Sequence, residues 1–137
     1  MTTGQVTEDR ATAEDDNLRA LGRQIIRTAE EGGDRAAAQA LVEEKTILAC
    51  SNVRRYLIAR RPGGVATCRW EGLSGLQYTL GLDEQQRAFL GLVLSMVGIG
   101  HITIAAVRGL DERRLRILTR AILRLAGNDT LAVGNRT

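Results

Sequence analysis

The sequence is poor in the residues that build most metal, redox and catalytic sites. Its 137 residues include one histidine, two cysteines and one proline, and aromatic residues make up only 3%. Cys50 and Cys68 match no Cys-x-x-Cys pattern, so we expect free thiols in a reducing compartment rather than a zinc ribbon or a disulfide framework. His101 has no carboxylate or cysteine beside it in sequence. We therefore expect no bound metal and no cofactor.

Motifs that hold nucleotides are also missing. Lys45, the one lysine, lies in a helical pattern rather than in a phosphate-binding loop. The pair Gly98 and Gly100 lacks the third glycine of a dinucleotide fingerprint. The neighbouring acids Glu43 and Glu44 are expected on a solvated helix face. The sequence therefore predicts a protein that is not an enzyme, and its acidic N-terminus, unlike a secretory signal, predicts a cytoplasmic location.

Arginine is abundant and unevenly distributed. It supplies eighteen of the nineteen basic residues, and the net charge is +3. Residues 1–44 carry ten acidic and five basic residues, whereas residues 45–137 carry fourteen basic and six acidic ones. The asymmetry favours either an anionic partner for the C-terminal two-thirds or two halves that partly neutralise each other. Aromatic residues are too scattered to stack successive bases, which favours duplex over single-stranded nucleic acid if the partner is nucleic acid.

Length and periodicity predict a mainly α-helical fold over residues 17–137, built as one folded unit with a short β-hairpin. Residues 1–16 are polar, acidic and without periodicity, and they predict a disordered tail. Residues 17–61 predict two helices, and the second of these could run unbroken from Arg35 to about Arg60.

The middle of the sequence changes character. Residues 62–82 predict a turn at Pro62 and then a β-hairpin between Val65 and Leu80, with its turn at Gly72–Gly75. Residues 83–137 begin with a helix that Asp83 is expected to cap.

Ala88–Val107 is a run of twenty residues without a formal charge. Its length suits a membrane-spanning helix, so a single-span membrane protein is one interpretation of the sequence. Gly98 and Gly100 favour a helix end, and His101 would be costly in lipid. We therefore expect two short buried elements and no membrane contact.

With a break at Gly98–Gly100, residues 83–133 resemble the helix-turn-helix of winged-helix DNA-binding domains. Ala105 supplies the small residue of the first helix, and Gly109 follows it four residues later. The apolar positions of the motif are Ile104, Leu110, Leu115 and Leu118. Arg108 departs from the pattern, because it stands where the motif has an apolar residue.

The resemblance implies a first helix over Thr103–Gly109 and a second helix from Glu112 to Ala126, capped by Asp111. It also implies a short strand at His101-Ile102 and another at Thr130–Val133. In such domains the second helix enters the major groove of DNA, so the arginines on and beside it are the expected contacts. These residues are Arg108, Arg113, Arg114, Arg116, Arg120 and Arg124. A second basic cluster, which either contacts flanking DNA backbone or faces solvent, is Arg54, Arg55, Arg60 and Arg61.

The sequence therefore predicts a small DNA-binding regulator that binds double-stranded DNA as a homodimer. The alternative is an oligomerising helical adaptor for protein–protein interaction. In that case the arginines of the last helix meet acids on a partner or on the N-terminal segment of the same chain.

Overall fold

A computed structural model describes the backbone of residues 3–127 and the side chains of residues 12–127. In chain order its elements are α1 (Thr3–Thr28), α2 (Gly32–Glu44), α3 (Ser51–Leu57), β1 (Ile58–Arg60), β2 (Ala66–Cys68), a first 3-10 helix (Trp70–Leu73), α4 (Glu84–Met96), a second 3-10 helix (Ile104–Gly109) and α5 (Glu112–Leu125). The predicted fold class, mainly α with a short β-hairpin, is confirmed. The strand expected at Thr130–Val133 lies outside the described residues.

Helix α2 lies at the centre and runs antiparallel to α4 and α5. At one end, a Cβ on Gly33 of α2 would lie 2.9 Å from the carbonyl oxygen of Met96 and 3.5 Å from Cδ1 of Leu125. At the other end, Glu44 of α2 contacts Arg114 in the first turn of α5. The starts of α4 and α5 therefore meet the C-terminal end of α2, where the arginines of α5 begin.

The core between these helices is aliphatic. Alanines along α2 are fully buried and let the neighbouring helices approach closely. Removal of apolar side chains from water stabilises this arrangement at about 25 cal/mol for each Å² buried. The largest contribution from one helix comes from α4, with Phe89, Leu90, Leu92, Val93 and Leu94.

Helix α1 begins at Thr3, far upstream of the predicted start at Asn17. Leu21 and Ile25 are buried and hold its second half against the core. Once that half is helical, each further residue upstream costs little, because the unfavourable nucleation step is already complete. The prediction of a disordered tail over residues 1–16 is therefore wrong for residues 3–16, although Thr12–Asn17 are exposed.

The predicted unbroken helix from Arg35 to Arg60 is wrong. Helix α2 ends at Glu44, and Lys45 takes a left-handed backbone conformation with φ of 75°. The carboxylate of Glu44 accepts hydrogen bonds from the Thr46 hydroxyl and from the backbone N–H of Ile47, at 2.8 Å for the latter. This local network turns the chain, and α3 starts six residues later.

The β-hairpin forms earlier in the chain than predicted. Strands β1 and β2 pair antiparallel, and Pro62-Gly63-Gly64 makes the turn between them. Gly63 and Gly64 have φ of 96° and 86°, a region that glycine enters without steric cost. The prediction that Gly72–Gly75 joins the two strands is wrong, because Trp70–Leu73 forms a 3-10 helix packed closely on α3 and the chain turns only after it, at Ser74-Gly75.

The uncharged run at residues 88–107 breaks as predicted, but only its first element, α4, is buried, because no residue of the second 3-10 helix is buried. Helix α4 ends at Met96, and Gly98 and Gly100 both have φ of 79°. Asp83 caps α4 as expected, accepting a hydrogen bond of 2.8 Å from the N–H of Gln86. Within the described part of the chain, no helix is long and apolar enough to cross a membrane.

Candidate functional site

The arginine-rich helix α5 starts where the sequence predicts. Asp111 caps it by accepting a hydrogen bond of 2.7 Å from the N–H of Arg114. Ile117, Leu118 and Ala121 are buried and hold one side of α5 against the core. The orientation of the helix is fixed by these three side chains, and it decides where each arginine points.

Arg114 points into the molecule and pairs with Glu44. Its Nη2 and Nε lie 2.8 and 2.9 Å from Oε2 of Glu44. The Arg114 side chain is 11% exposed and the Glu44 side chain is completely buried. Further contacts hold Nη1 of Arg114 at 2.8 Å from Oδ2 of Asp111 and 3.2 Å from Oε1 of Gln85. Arg114 thus ties together α2, α4 and α5.

Three more of the predicted DNA contacts also meet the end of α2. Nη2 of Arg113 donates to the backbone carbonyls of Glu43, at 3.1 Å, and Glu44. A cation suits these carbonyls because they form the negative end of the helix dipole. Arg120 and Arg124 lie 3.7 and 3.4 Å from Oε1 of Glu43.

The remaining two predicted contacts lie at the surface. Arg116 is 58% exposed and pairs with Glu112 one turn earlier on α5. Arg108 is exposed and has no hydrogen bond or ion pair with any described residue. Four of the five arginines of α5 therefore pair with carboxylates of the same chain, those of Glu43, Glu44, Asp111 and Glu112, and Arg113 is held by backbone carbonyls.

The first helix of the helix-turn-helix resemblance has a different geometry. Residues Ile104–Gly109 form a 3-10 helix that packs on α4, and His101-Ile102 is not a strand. Ala105 is exposed, and a Cβ on Gly109 would meet nothing within 4 Å. In the motif, this alanine and glycine lie where two helices cross closely. The described chain has no such crossing here, because the segment packs on α4 instead.

The second basic cluster divides into two parts. Arg54, Arg55 and Arg60 line a shallow groove of about 310 Å³ beside Leu21 of α1, and we call this the basic groove. Arg61 instead lies 3.5 Å from Glu30.

Within the basic groove two of the arginines are held by backbone oxygens. Arg54 donates to the carbonyl of Leu48 at 2.9 Å, and Arg60 donates to the carbonyl of Gly64 at 3.0 Å. Arg55 has no hydrogen bond or ion pair with a described residue, and no carboxylate lines the groove.

A small polar cavity of about 170 Å³ lies between α1, α2 and β2 and includes Asp34 and Cys68. Burial, followed by the nearby charges of Glu31, Glu71 and Glu30, raises the pKa of Asp34. Burial, followed by the charge of Asp34, raises the pKa of Cys68 to about 12. A thiol in this state is a poor nucleophile at neutral pH, since the thiolate is the reactive form.

Sequence reasoning missed Glu43 and Glu44, which it placed on a solvated face. A signal was present, because four arginines repeating along one face of α5 repel one another unless carboxylates approach them. Among the described residues, no group of three or more histidine, cysteine or acidic side chains is placed to hold a metal ion. Comparison of the chain with models of known protein families, with curated proteins and with solved structures finds no match.

Proposed function

We propose that this protein is a non-catalytic helical adaptor that associates with a second copy of itself. In the complex, an acidic segment of α1 from one copy occupies the basic groove of the other. The acidic segment consists of Glu14, Asp15 and Asp16.

The observation that carries the proposal is that two exposed surfaces of opposite charge form no ion pair with any residue whose side chain the structure describes. The acidic segment is exposed, and its carboxylates form no ion pair with a described residue. The basic groove brings three guanidinium groups together without a carboxylate in its lining. Like charges repel within each surface. In the acidic segment this repulsion is only partly relieved by Arg19 and Lys45, which line a pocket with Asp15, and contact between the two surfaces would offset the rest.

Helix α1 places these two surfaces in a fixed relation. Leu21 lines the basic groove and follows Asp16 by five residues, which is about 8 Å along the helix axis. A continuous helix cannot fold its own acidic segment back onto that groove. Two copies with antiparallel α1 helices would instead place each acidic segment beside the groove of the partner, as a two-fold interface requires.

Duplex DNA is less well supported as the partner. Arg114, Arg120 and Arg124 would have to leave Glu43 and Glu44 before they could contact phosphates. For Arg114, whose partner Glu44 is completely buried, loss of the ion pair costs about 3–5 kcal/mol. DNA binding stays a prediction. It rests mainly on two exposed residues, Arg116 of α5 and Arg108 of the 3-10 helix before α5.

Sedimentation velocity of the full chain over a range of concentrations tests the proposal. At low salt, Arg55→Gln combined with Arg60→Gln should weaken self-association about tenfold or more, because interface charges contribute roughly 1.5 kcal/mol or more when closely paired. The matched control, Arg108→Gln combined with Arg116→Gln, removes the same charge from another surface and should leave association unchanged. Equal weakening by both pairs, or a monomer at every concentration, would contradict the proposal.

A titration with fluorescent duplex DNA under the same conditions separates the two functions. Self-association without DNA binding supports the adaptor. DNA affinity that falls steeply with salt and is lost in the Arg108 and Arg116 control pair would instead support the DNA-binding function.

A further inference from the structure

A cleft separate from the basic groove is the second candidate site for a ligand. A cleft of about 430 Å³ opens between the first half of α4, the loop that follows α4, and the segment Gln77-Tyr78. We call it the α4 cleft. Its volume falls in the range of sites that bind small organic molecules, and it shares no residue with the acidic segment or the basic groove.

The loop that closes the α4 cleft is held in place by backbone shape and close packing. Gly98 and Gly100 both have φ of 79°, which turns the chain back toward α4. Ile102 then packs directly on Gly91, where a Cβ would lie 2.6 Å from its Cδ1. His101 is thereby held in the wall of the cleft, where its ring forms no hydrogen bond with a described residue.

Arg87 is fixed in the cleft by two contacts. Its Nη1 donates to the carbonyl of Leu82 at 2.8 Å, and its Cζ lies 5.1 Å from the centre of the Tyr78 ring. A cation over an aromatic face is attracted by the ring electrons. The other N–H groups of Arg87 form no bond with a described residue and can donate to a carboxylate.

Glu84 lies one turn before Arg87 on the same side of α4 and also lines the cleft. Residues at this spacing have Cβ atoms about 5–6 Å apart. The carboxylate of Glu84 is exposed, and it forms no ion pair with Arg87 or with another described residue. A fixed cation and an unpaired anion therefore stand side by side, above an apolar floor at Gly91 and Ile102.

We infer that the α4 cleft binds a free amino acid with an apolar or aromatic side chain. Arg87 receives the carboxylate of the ligand, and Glu84 receives its ammonium group. The side chain of the ligand lies over Gly91 and against Tyr78, which is 85% exposed. A zwitterion satisfies both charges at once, whereas a simple anion would be repelled by Glu84.

Calorimetric titration of the full chain with L-phenylalanine tests this inference, with amide NMR spectra to locate the site. Two truncated probes isolate each charge: 3-phenylpropionate lacks the ammonium group and phenethylamine lacks the carboxylate. Each should bind about tenfold more weakly than phenylalanine or worse. Absence of binding up to about 10 mM, or shifts confined to residues outside the cleft, would overturn the inference.

Variants assign the two contacts. Glu84→Gln changes one exposed side chain, so the fold is preserved, and it should weaken phenylalanine about tenfold while leaving phenylpropionate unchanged or tighter. Arg87→Ala should weaken phenylalanine but not phenethylamine. The control Glu112→Gln removes an exposed carboxylate from α5 and should have no effect. Equal affinity of phenylalanine for the wild type and for Glu84→Gln would contradict the assignment, whatever the oligomeric state proves to be.

Discussion

At the scale of single residues, Glu44 determines how the arginines of α5 are used. Its carboxylate is completely buried and accepts hydrogen bonds from Thr46, Ile47 and Arg114. A buried charge is tolerated only when it is paired and hydrogen-bonded. Glu44 meets both conditions, and in doing so it withdraws Arg114 from the surface. Burial of this one acid therefore turns a predicted binding residue into part of the core.

Arg114→Ala should destabilise the fold by about 3–5 kcal/mol, because it leaves the charge of Glu44 buried and unpaired. The matched control is Arg116→Ala, which removes an exposed i,i+4 partner of Glu112 and should cost about 0.5 kcal/mol or less. Urea denaturation of both variants measures the difference. Similar losses for the two would mean that Arg114 is not held as the structure shows.

Cys68 should be chemically silent in the native protein. Burial and the charge of Asp34 raise its pKa from 9.0 to about 12, so at pH 8 its thiolate is scarce. Native alkylation by iodoacetamide should be about a thousandfold slower than in denaturant, in proportion to the thiolate fraction. As pH rises, the thiol of Cys68 loses its proton at a lower pH in the unfolded chain than in the folded protein. Cys68 should therefore also lower the free energy of unfolding as pH rises from about 9 toward 12. Cys68→Ala should remove that part of the pH dependence, and rapid native alkylation at pH 8 would contradict the account.

At the scale of elements, the contacts of glycine separate the observed packing from that of a helix-turn-helix. Gly72 in the first 3-10 helix lies so close to α3 that a Cβ there would collide with the carbonyl oxygen of Tyr56. Gly109 has open space around it and a φ outside the left-handed region. A helix-turn-helix would require Gly109 to lie at a tight crossing of two helices.

Gly72→Ala should therefore destabilise the fold by about 2 kcal/mol or more, since backbone must shift to admit the methyl group. Gly109→Ala should be neutral, or stabilising by up to about 1 kcal/mol through the unfolded state. Thermal unfolding of the two variants measures both effects. A large loss of stability in Gly109→Ala would favour the helix-turn-helix crossing over the observed arrangement.

Elements whose signals are local could be predicted from the sequence, and those set by distant contacts could not. Asp83 and Asp111 cap their helices as expected, because capping depends on residues within one turn. The hydrogen bond that Glu44 accepts from Arg114 joins residues seventy apart in sequence, so no local pattern could predict it. The carboxylates that pair with the arginines of α5 likewise could be identified only from the fold.

At the scale of the whole molecule, the charge asymmetry has two different outcomes. Four of the five arginines of α5 pair with acids of α2, α5 and the residue before α5, and Arg113 binds backbone carbonyls of α2, so this part of the asymmetry is resolved within the chain. The acidic segment of α1 and the basic groove form no ion pair within the described part of one copy. Their contact in a second copy would resolve the rest, and salt should weaken it because both surfaces are exposed.

A charge exchange between two variants tests this central claim most directly. One variant carries Glu14→Lys, Asp15→Lys and Asp16→Lys, and the other carries Arg55→Glu and Arg60→Glu. Each variant alone should sediment as a monomer at low salt, because its acidic segment and groove now have the same sign. An equimolar mixture should restore the dimer, since each segment again faces a groove of opposite charge. Dimers of either variant alone, or a mixture that stays monomeric while the wild type dimerises, would contradict the account.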